Sequence, residues 1–307
     1  GCGHAFATSK GFPETWRDKR AFVCGPTGHL LGMYDVRAKD SGYESINAYS
    51  FLASTDEWFS PVVAEVGPDG NMWVADWYNF IIQHNPTPNK ESGGYNAKLG
   101  LGNAHINTNR DRQHGRIYRV VYEGNNNKIQ SLDGSTTKQL LKFLGDDNLF
   151  WRLTAQRLLV ENKHSDAVPA LEGLVIQGGK ISIHALWTLH GLGALDEKIH
   201  TGALISKEAA LRRNAIRALG TDIKSAQMLY DSAVLGDADP LVRLTAFTKL
   251  AMLSDNEPKK DIASLLMKQP ENNKDEWIKI ALEAAGASKR ATHESDRILI
   301  KGRIDVG

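Results

Sequence analysis

Asp76 and Asn79 form the first pair of side chains whose spacing suggests chemistry. They lie in the run Asp76-Trp77-Tyr78-Asn79, directly after the apolar residues 72–75. Their carboxylate and amide oxygens are hard ligands of the kind that Ca²⁺ prefers. The same run is typical of an Asx turn, in which an Asp or Asn side chain accepts a backbone N–H at a strand end. The sequence therefore predicts either a metal site or a turn at this point.

A second group of candidate residues is basic and lies between positions 110 and 116. Arg110, Arg112 and Arg116 carry planar guanidinium groups that bind carboxylates through two parallel hydrogen bonds. His114 is the candidate catalytic residue, because an imidazole can remove a proton from a hydroxyl group. The alternative interpretation is an ion-pair network on the protein surface that includes Asp111.

The elements that must position these candidates are strands in residues 1–123. Runs of β-branched and aromatic residues alternate there with turn signals such as Pro68-Asp69-Gly70. The predicted strands cover residues 21–24, 29–36, 45–52, 62–66, 72–76 and 116–122. Short strands at this spacing indicate a β-sandwich, a barrel or a propeller. Residues 58–122 are interpreted as the inner, turn and outer strands of one propeller blade.

Trp58 lies just before the strand predicted at 62–66, close to Asp56 and Phe59. In a propeller this position faces the central channel, where ligands bind to loops held by a rigid scaffold. Trp58 is therefore a candidate ligand-contacting residue. A packed turn with no ligand is the alternative.

Residues 136–287 have a helical pattern that repeats along the chain. Alanines recur at steps of 30 to 35 residues, and in three units an arginine precedes the alanine by three positions. The alanines are Ala155, Ala185, Ala215, Ala246 and Ala281, and the arginines are Arg152, Arg212 and Arg243. A fixed step of this size indicates a solenoid of about five helix pairs. The run 239–246 is similar to the start of the second helix of HEAT repeats, so a docking scaffold is expected.

The predicted fold class is multidomain β plus α, with a partial β-propeller followed by an α-solenoid. Residues 1–123 are assigned to the C-terminal blades, 124–135 to a linker, 136–287 to the HEAT-like solenoid, and 288–307 to a tail that starts a further module. A propeller needs about 4–8 blades. Upstream blades, in the same or an associated chain, are therefore expected as partners, and the chain is interpreted as a fragment.

Neither the charge balance nor the apolar runs of the sequence point to nucleic acid as a partner or to a membrane span. The chain of 307 residues has 37 Lys and Arg against 36 Asp and Glu, for a net charge of +1. This balance gives no electrostatic reason to expect nucleic acid as a partner. The sequence also lacks an apolar run of the roughly 20 residues that a membrane span requires.

Cys2 and Cys24 are the two cysteines of the chain, and both lie in the same predicted blade. A disulfide between them is the favoured interpretation, which would place the protein in an oxidising compartment. A pair of buried free thiols is the alternative.

Five segments together resemble one large group of bacterial proteins. They are FVCGPTGHL at 22–30, FLASTDEWFSP at 51–61, GPDG at 67–70, VADWYN at 74–79 and DRQHGRIYR at 111–119. The group is the membrane-bound dehydrogenase family of planctomycetes, verrucomicrobia and bacteroidetes. Its propeller is similar to that of glucose/sorbosone dehydrogenases, and HEAT repeats and a c-type cytochrome domain commonly follow it.

This resemblance implies a sugar or alcohol substrate, the cofactor pyrroloquinoline quinone (PQQ) and Ca²⁺. It also implies electron transfer to a c-type cytochrome domain or another acceptor, and a periplasmic or extracellular location with membrane attachment through other segments. By resemblance, Arg110, Arg112, Arg116 and Trp58 would contact the quinone. In the related enzymes the catalytic His lies in earlier blades, and this chain has no haem-attachment motif. The fragment alone is therefore expected to be inactive.

Two functions follow from the sequence. The first is a part of a PQQ-dependent sugar or alcohol dehydrogenase, in which the propeller lines the substrate site and the helices dock other domains. The alternative is a non-catalytic propeller that binds carbohydrate or protein, with the helical repeats as an interaction scaffold.

Overall fold

The computed structural model describes residues 2–80, 89–91, 93–98, 106–111, 113–253 and 257–286. The predicted tail at 288–307 lies outside the described residues. Within them, seven strands precede eleven helices, which confirms the β plus α class. The chain divides into two compact units. The first holds the described residues of 1–37, 45–130 and 147–150, and the second holds 38–44, 131–146 and the described residues from 151 onward.

Seven antiparallel strands build two sheets. They are β1 (His4–Phe6), β2 (Arg20–Gly25), β3 (Leu30–Lys39), β4 (Gly42–Ala53), β5 (Pro61–Val66), β6 (Met72–Asp76) and β7 (Arg116–Val120). The first sheet has the order β1-β2-β3-β4 and the second has the order β5-β6-β7. All six predicted strands are confirmed. The strand β1 escaped prediction because its three residues form no run of β-branched side chains.

Alternation along the strands of the first unit buries one face of each sheet. In β6, Met72, Val74 and Asp76 are buried while the residues between them are half-buried, as the two-residue period of a strand requires. Buried side chains from both sheets form one core, which contains Ala7, Phe12, Phe22, Cys24, Leu31, Met33, Ala64, Met72 and Val74. Packing of this core fixes the register of the strands, and the register determines which residues lie at the strand ends.

The predicted Pro-Asp-Gly turn joins β5 to β6. Gly70 has a φ of +77°, a conformation that side chains disfavour. The Asp69 carboxylate accepts hydrogen bonds from the Asn71 amide at 2.9 Å and the Trp73 indole at 2.9 Å. It also forms an ion pair with Arg119 on β7 at 2.6 Å. One carboxylate therefore ties the turn to two neighbouring strands.

Eleven helices fill the described residues after 136. They are α1 (Thr137–Phe143), α2 (Leu149–Glu161), α3 (Val168–Gln177), α4 (Gly179–Gly191), α5 (Glu197–Leu204), α6 (Ala209–Ala218), α7 (Ile223–Asp231), α8 (Pro240–Met252), α9 (Glu257–Met267), α10 (Pro270–Asn273) and α11 (Glu276–Gly286). No helix in the described part of the chain is long and apolar enough to cross a membrane.

The five periodic alanines occupy equivalent places in the helical unit. They lie on α2, α4, α6, α8 and α11, and each has at most 4% of its surface exposed. A small side chain at such a position lets packed helices approach closely. The start of α8 also agrees with its sequence, since Asp239 caps it by accepting the N–H groups of Leu241 and Val242. The sequence period therefore corresponds to a structural one.

Arg212 links two successive helical segments. Its Nε and Nη2 donate to the two carboxylate oxygens of Asp237 at 2.6 and 2.7 Å. Its Nη1 donates to the carbonyl of Ser206, six positions earlier, at 2.7 Å. This bidentate pair is largely shielded from water, since 16% of the Arg212 side chain and 8% of the Asp237 side chain are exposed. Burial opposes ionisation of Asp237, and the guanidinium outweighs it and holds the Asp237 pKa below its ordinary value.

Arg243 repeats the same contacts one unit later. Its Nη1 donates to the carbonyl of Asp237, again six positions earlier, at 2.6 Å. Its Nε donates to the side-chain oxygen of Asn272 in the following segment at 3.2 Å. Arg152 also reaches six positions back, to the Asp146 carbonyl at 2.6 Å. The periodic arginines of the sequence therefore make the same hydrogen bond, to a carbonyl six positions earlier, in three units.

The partner of Arg152 in the next segment is a buried histidine. Arg152 Nε donates to His184 Nε2 at 3.2 Å, and Nδ1 of the same ring lies 2.8 Å from Gln156 Oε1. The imidazole is therefore neutral, with its proton on Nδ1. Burial, and then the charge of Arg152, lower the His184 pKa to about 4. His184 is therefore a buried histidine with a hydrogen-bond partner at each ring nitrogen.

Replacing Arg212 with Ala should lower the free energy of unfolding by about 2 kcal/mol, because Asp237 loses its charged partner. The loss is measured by urea denaturation followed by far-UV circular dichroism. Arg157→Ala is the matched control, since Arg157 forms an exposed pair with Glu161 and should change stability by less than about 0.5 kcal/mol. Equal losses for the two variants would contradict a structural role for the periodic arginines.

His184 should make the helical unit sensitive to acid. The unfolded chain takes up a proton near pH 6.5 and the folded chain only near pH 4. The free energy of unfolding should therefore fall by about 2 kcal/mol from about pH 7 to about pH 5. His184→Gln cannot take up this proton, so its stability should fall less over the same interval. Parallel pH profiles for the two proteins would rule out the contribution.

Candidate functional site

The candidate site lies at one end of the second sheet. Antiparallel pairing sets Asp76, the last residue of β6, opposite Pro61 at the start of β5 and Arg116 at the start of β7. Ser60 and Tyr78 flank this row. The sheet register therefore brings together residues that are far apart in the sequence.

Asp76 is a buried carboxylate surrounded by hydrogen-bond donors. Its Oδ1 accepts the backbone N–H groups of Ser60 and Tyr78, each at 2.7 Å. Its Oδ2 lies 3.5 Å from the Tyr118 hydroxyl and 3.9 Å from an Arg116 nitrogen. The contact to Tyr78, two positions on, is an Asx turn, which confirms the second interpretation of this run.

The residues around Asp76 do not fit a Ca²⁺ ion. A cation would have to compete with two N–H donors and the Arg116 guanidinium for the same carboxylate. The Asn79 amide donates through Nδ2 to the Asp111 carbonyl at 2.8 Å, and its Oδ1 is buried with no hydrogen-bond partner. Nor do the described residues contain a group of three or more His, Cys, Asp or Glu side chains that could hold a metal. No step is therefore assigned to a metal at this position.

Arg116 lies over the ring of Tyr78. Its guanidinium carbon is 3.6 Å from the ring centroid, in a cation–π contact. The same group forms an ion pair with Asp56 at 3.3 Å. The Asp56 pKa is lowered first by the Trp58 N–H that its carboxylate accepts, and further by Arg116. The predicted basic residue Arg116 is thus paired with Asp56, an acidic residue outside the 110–116 group.

Aromatic rings form a continuous surface beside this ion pair. Trp58 stacks on Tyr78 with ring centroids 5.8 Å apart, and Phe80 lies 6.1 Å from Trp58. Phe80 is 41% exposed, and Trp58 and Tyr78 are half-buried. We call Trp58, Tyr78 and Phe80 the aromatic platform. Tyr78 reaches it from a backbone φ of +55°, which is unusual for a non-glycine residue.

His114 lies next to the platform and is oriented by Asp111. Its Nδ1 is 2.6 Å from Asp111 Oδ2, and its ring centroid is 6.2 Å from that of Tyr78. Asp111 Oδ1 accepts the backbone N–H groups of Gln113 and His114 at 2.7 Å. These bonds, led by the one from the imidazole, lower the Asp111 pKa to about 2. A carboxylate that stays ionised holds Nδ1 as the donor and leaves Nε2 as an acceptor.

The structure brings some predicted residues together and leaves others apart. Trp58, Asp76, His114 and Arg116 share the site. Arg110 lies in the loop before Asp111, with its N–H donating to the Asn107 carbonyl, and Arg112 lies outside the described residues. Tyr118 and Phe80 were not predicted as site residues. Tyr118 could have been found, because it follows Arg116 by two positions and lies on the same face of β7.

Cys2 and Cys24 are both free thiols in the structure. Their backbones are adjacent, since the Cys2 N–H donates to the Cys24 carbonyl at 2.9 Å. Cys2 is exposed and Cys24 is buried, and burial raises the Cys24 pKa to about 11. The disulfide predicted from the sequence is not formed here, and the alternative of free thiols describes the pair, with only Cys24 buried.

Sequence comparison reaches only the first part of the chain. Residues 1–124 match the family model of a domain of unknown function, DUF7133. No curated protein is found to match the chain. The DUF7133 segment contains all seven strands and every residue of the site described above, and it ends before α1.

Replacing Asp76 with Asn should destabilise the first unit by about 2 kcal/mol, because it removes the buried negative charge and replaces Oδ2, which faces the Tyr118 hydroxyl and the Arg116 guanidinium, with an NH₂ donor. The change is measured by thermal unfolding followed through tryptophan fluorescence. Asp56→Asn is the matched control and should leave the transition nearly unchanged, because the Asp56 side chain is 39% exposed. A larger effect at Asp56 than at Asp76 would show that Asp76 does not organise the strand ends.

Proposed function

We propose that the aromatic platform binds a neutral sugar or a similar polyol, and that His114 accepts the proton of a bound hydroxyl group. One observation carries this proposal. The platform lies next to the His114–Asp111 pair, since the ring centroids of Tyr78 and His114 are 6.2 Å apart. This function is a specific form of the dehydrogenase interpretation of the sequence and involves residues of this chain only.

The binding half of the proposal rests on ring faces and hydrogen-bond acceptors. Sugars present C–H faces that pack on rings such as those of Trp58 and Phe80, and hydroxyl groups that bond to carboxylates. Asp56 is 39% exposed at its side chain and lies next to Trp58. Its pairing with Arg116 leaves no surplus positive charge at this edge of the platform, which favours a neutral polyol over an anionic one.

The chemical half of the proposal rests on the His114–Asp111 hydrogen bond. Because Asp111 accepts from Nδ1 at 2.6 Å, Nε2 carries the lone pair that can take a proton. The ionised Asp111 also stabilises the imidazolium that forms when the proton arrives. The side chain of His114 is 67% exposed, so a substrate can reach it.

The proposed architecture around this site is a β-propeller followed by HEAT-type repeats. Val63, Ala75 and Ile117 oppose one another across β5, β6 and β7. Val63 is 42% exposed and Ile117 is 74% exposed, an apolar row on which another sheet can pack. This row supports further blades as partners, and the periodic alanines and arginines support the HEAT-type reading of the helices.

Oxidation of the bound polyol needs a hydride acceptor, and PQQ is the acceptor that the family resemblance implies. A bound PQQ would supply the hydride acceptor, and His114 would take the hydroxyl proton. The residues predicted to hold the quinone are Arg110, Arg112, Arg116 and Trp58. Of these, Trp58 and Arg116 contact Tyr78, as His114 does. The c-type cytochrome, the upstream blades and the periplasmic or extracellular location stay predictions.

A binding-only role is the second candidate function. The platform and its flanking carboxylate belong entirely to this chain, so recognition of carbohydrate can occur with no chemistry following it. Both functions require Trp58 for binding, whereas only the dehydrogenase function requires His114 as a base.

The proposal is tested by titrating the full chain with a panel of neutral sugars and polyols by isothermal calorimetry. Trp58→Ala should weaken binding about tenfold or more, because it removes a ring face. Trp277→Ala is the matched control, since Trp277 is similarly exposed, at 39%, but lies on α11. Absence of binding by every sugar tested would overturn the proposal.

Chemistry is then separated from binding with His114→Gln. In a dye-linked oxidation assay of the full-length protein with PQQ and Ca²⁺, this variant should keep sugar affinity and lose about 10²-fold or more in rate. Unchanged oxidation would remove His114 from the chemistry. Binding with no oxidation by either protein would assign the binding-only role.

A further inference from the structure

The helical unit contains a cleft that the proposed sugar site does not use. It encloses about 600 Å³ and lies between the end of α3, the helix α5 and the start of α6. Its floor is apolar and buried, and is formed by Val175, Ile199, Ala203 and Leu211. A half-open apolar cleft of this size has the volume that small binding sites in proteins have.

Two isoleucines extend the apolar surface beyond the cleft itself. Ile176 is 76% exposed and Ile205 is 65% exposed, and both belong to the cleft lining. Both lie at the end of a helix that supplies part of the floor. Ile176 is in the last turn of α3, and Ile205 directly follows α5. An exposed aliphatic pair around an apolar depression is typical of a protein interaction site. A small ligand inside the cleft would leave these two side chains in water.

The lining carries one carboxylate and two ammonium groups, for a net charge of +1. The Glu208 carboxylate is turned to the start of α4, where both of its oxygens accept the Gly179 N–H at 2.8 and 2.9 Å. Gly178, with a φ of +85°, has no side chain to block that approach. The other charged residues of the lining are Lys198 and Lys207, both exposed. The cleft therefore presents two ammonium groups beside an apolar floor.

We propose that this cleft docks an acidic amphipathic segment of a partner protein, with aliphatic side chains on the floor and carboxylates at Lys198 and Lys207. Charge complementarity selects an acidic partner over a basic one, and the exposed isoleucines select a peptide longer than the cleft. The docking site is independent of the proposed sugar function, because none of its residues belongs to the first unit.

Gly202 offers a direct way to close the cleft without disturbing the fold. It lies on α5 within the lining, and a Cβ placed there meets no atom within 4 Å. Gly202→Leu should therefore fill the cleft and leave the helix intact. Gly173 on α3 is the matched control, because its Cβ direction is equally open and it does not line the cleft.

The probe is a fluorescein-labelled peptide of about 15 residues with Leu at helical spacing and Glu between, and the measurement is fluorescence anisotropy with the full chain. Binding should weaken about tenfold or more in Gly202→Leu and in the double variant Lys198→Glu/Lys207→Glu. Gly173→Leu should bind like the unmodified protein. A rise from about 50 to about 300 mM salt should also weaken binding.

Four outcomes would overturn docking of an acidic segment in this cleft. One is absence of binding by the acidic peptide, and another is equal binding to Gly202→Leu and Gly173→Leu. The third is equal or tighter binding of a peptide with Lys in place of Glu. Circular dichroism of each variant establishes that it is folded before it is titrated. Complete displacement of the peptide by a fatty acid would assign the cleft to a small amphiphile and reject the protein segment.

Discussion

The buried carboxylate of Asp76 is the constraint on which the candidate site depends. A charge inside a protein is stable only where donors replace its water, and Asp76 gains two backbone donors from Ser60 and Tyr78. Meeting that demand closes the Asx turn and sets Tyr78 at its positive φ. Tyr78 then supplies the ring on which Arg116 lies. The geometry of the aromatic platform is thus a consequence of solvating one anion.

Local patterns in the sequence predict most of the fold. Turn signals and alternating side chains locate six strands, and the spacing of alanines locates the packed helices. What they cannot predict is the environment of a polar side chain. Asp76 looks equally like a ligand and a turn residue until the sheet register places Arg116 opposite it. The sequence predicts Asp111 only as a member of a surface ion-pair network, because the direct bond from His114 to Asp111 forms at the end of a long segment with no periodicity.

In the helical unit, the periodic arginines link successive segments through hydrogen bonds whose acceptors differ from one unit to the next. Arg212 binds a carboxylate, Arg243 binds an amide and Arg152 binds an imidazole. In the fourth helix the equivalent position is Ser182, whose hydroxyl donates to the Gly179 carbonyl within its own segment. In the three units that have the arginine, the bond to the carbonyl six positions earlier is the same, whereas the partner in the next segment differs from unit to unit.

These bonds also give the helical array a direction. Asp237 accepts Arg212 through its side chain and Arg243 through its backbone, so each arginine reaches forward to the segment that follows. Loss of the last segment would leave one guanidinium without its forward partner, whereas loss of an inner segment would break contacts on both sides. Removal of the far-end segment therefore breaks fewer of these bonds than removal of an inner one.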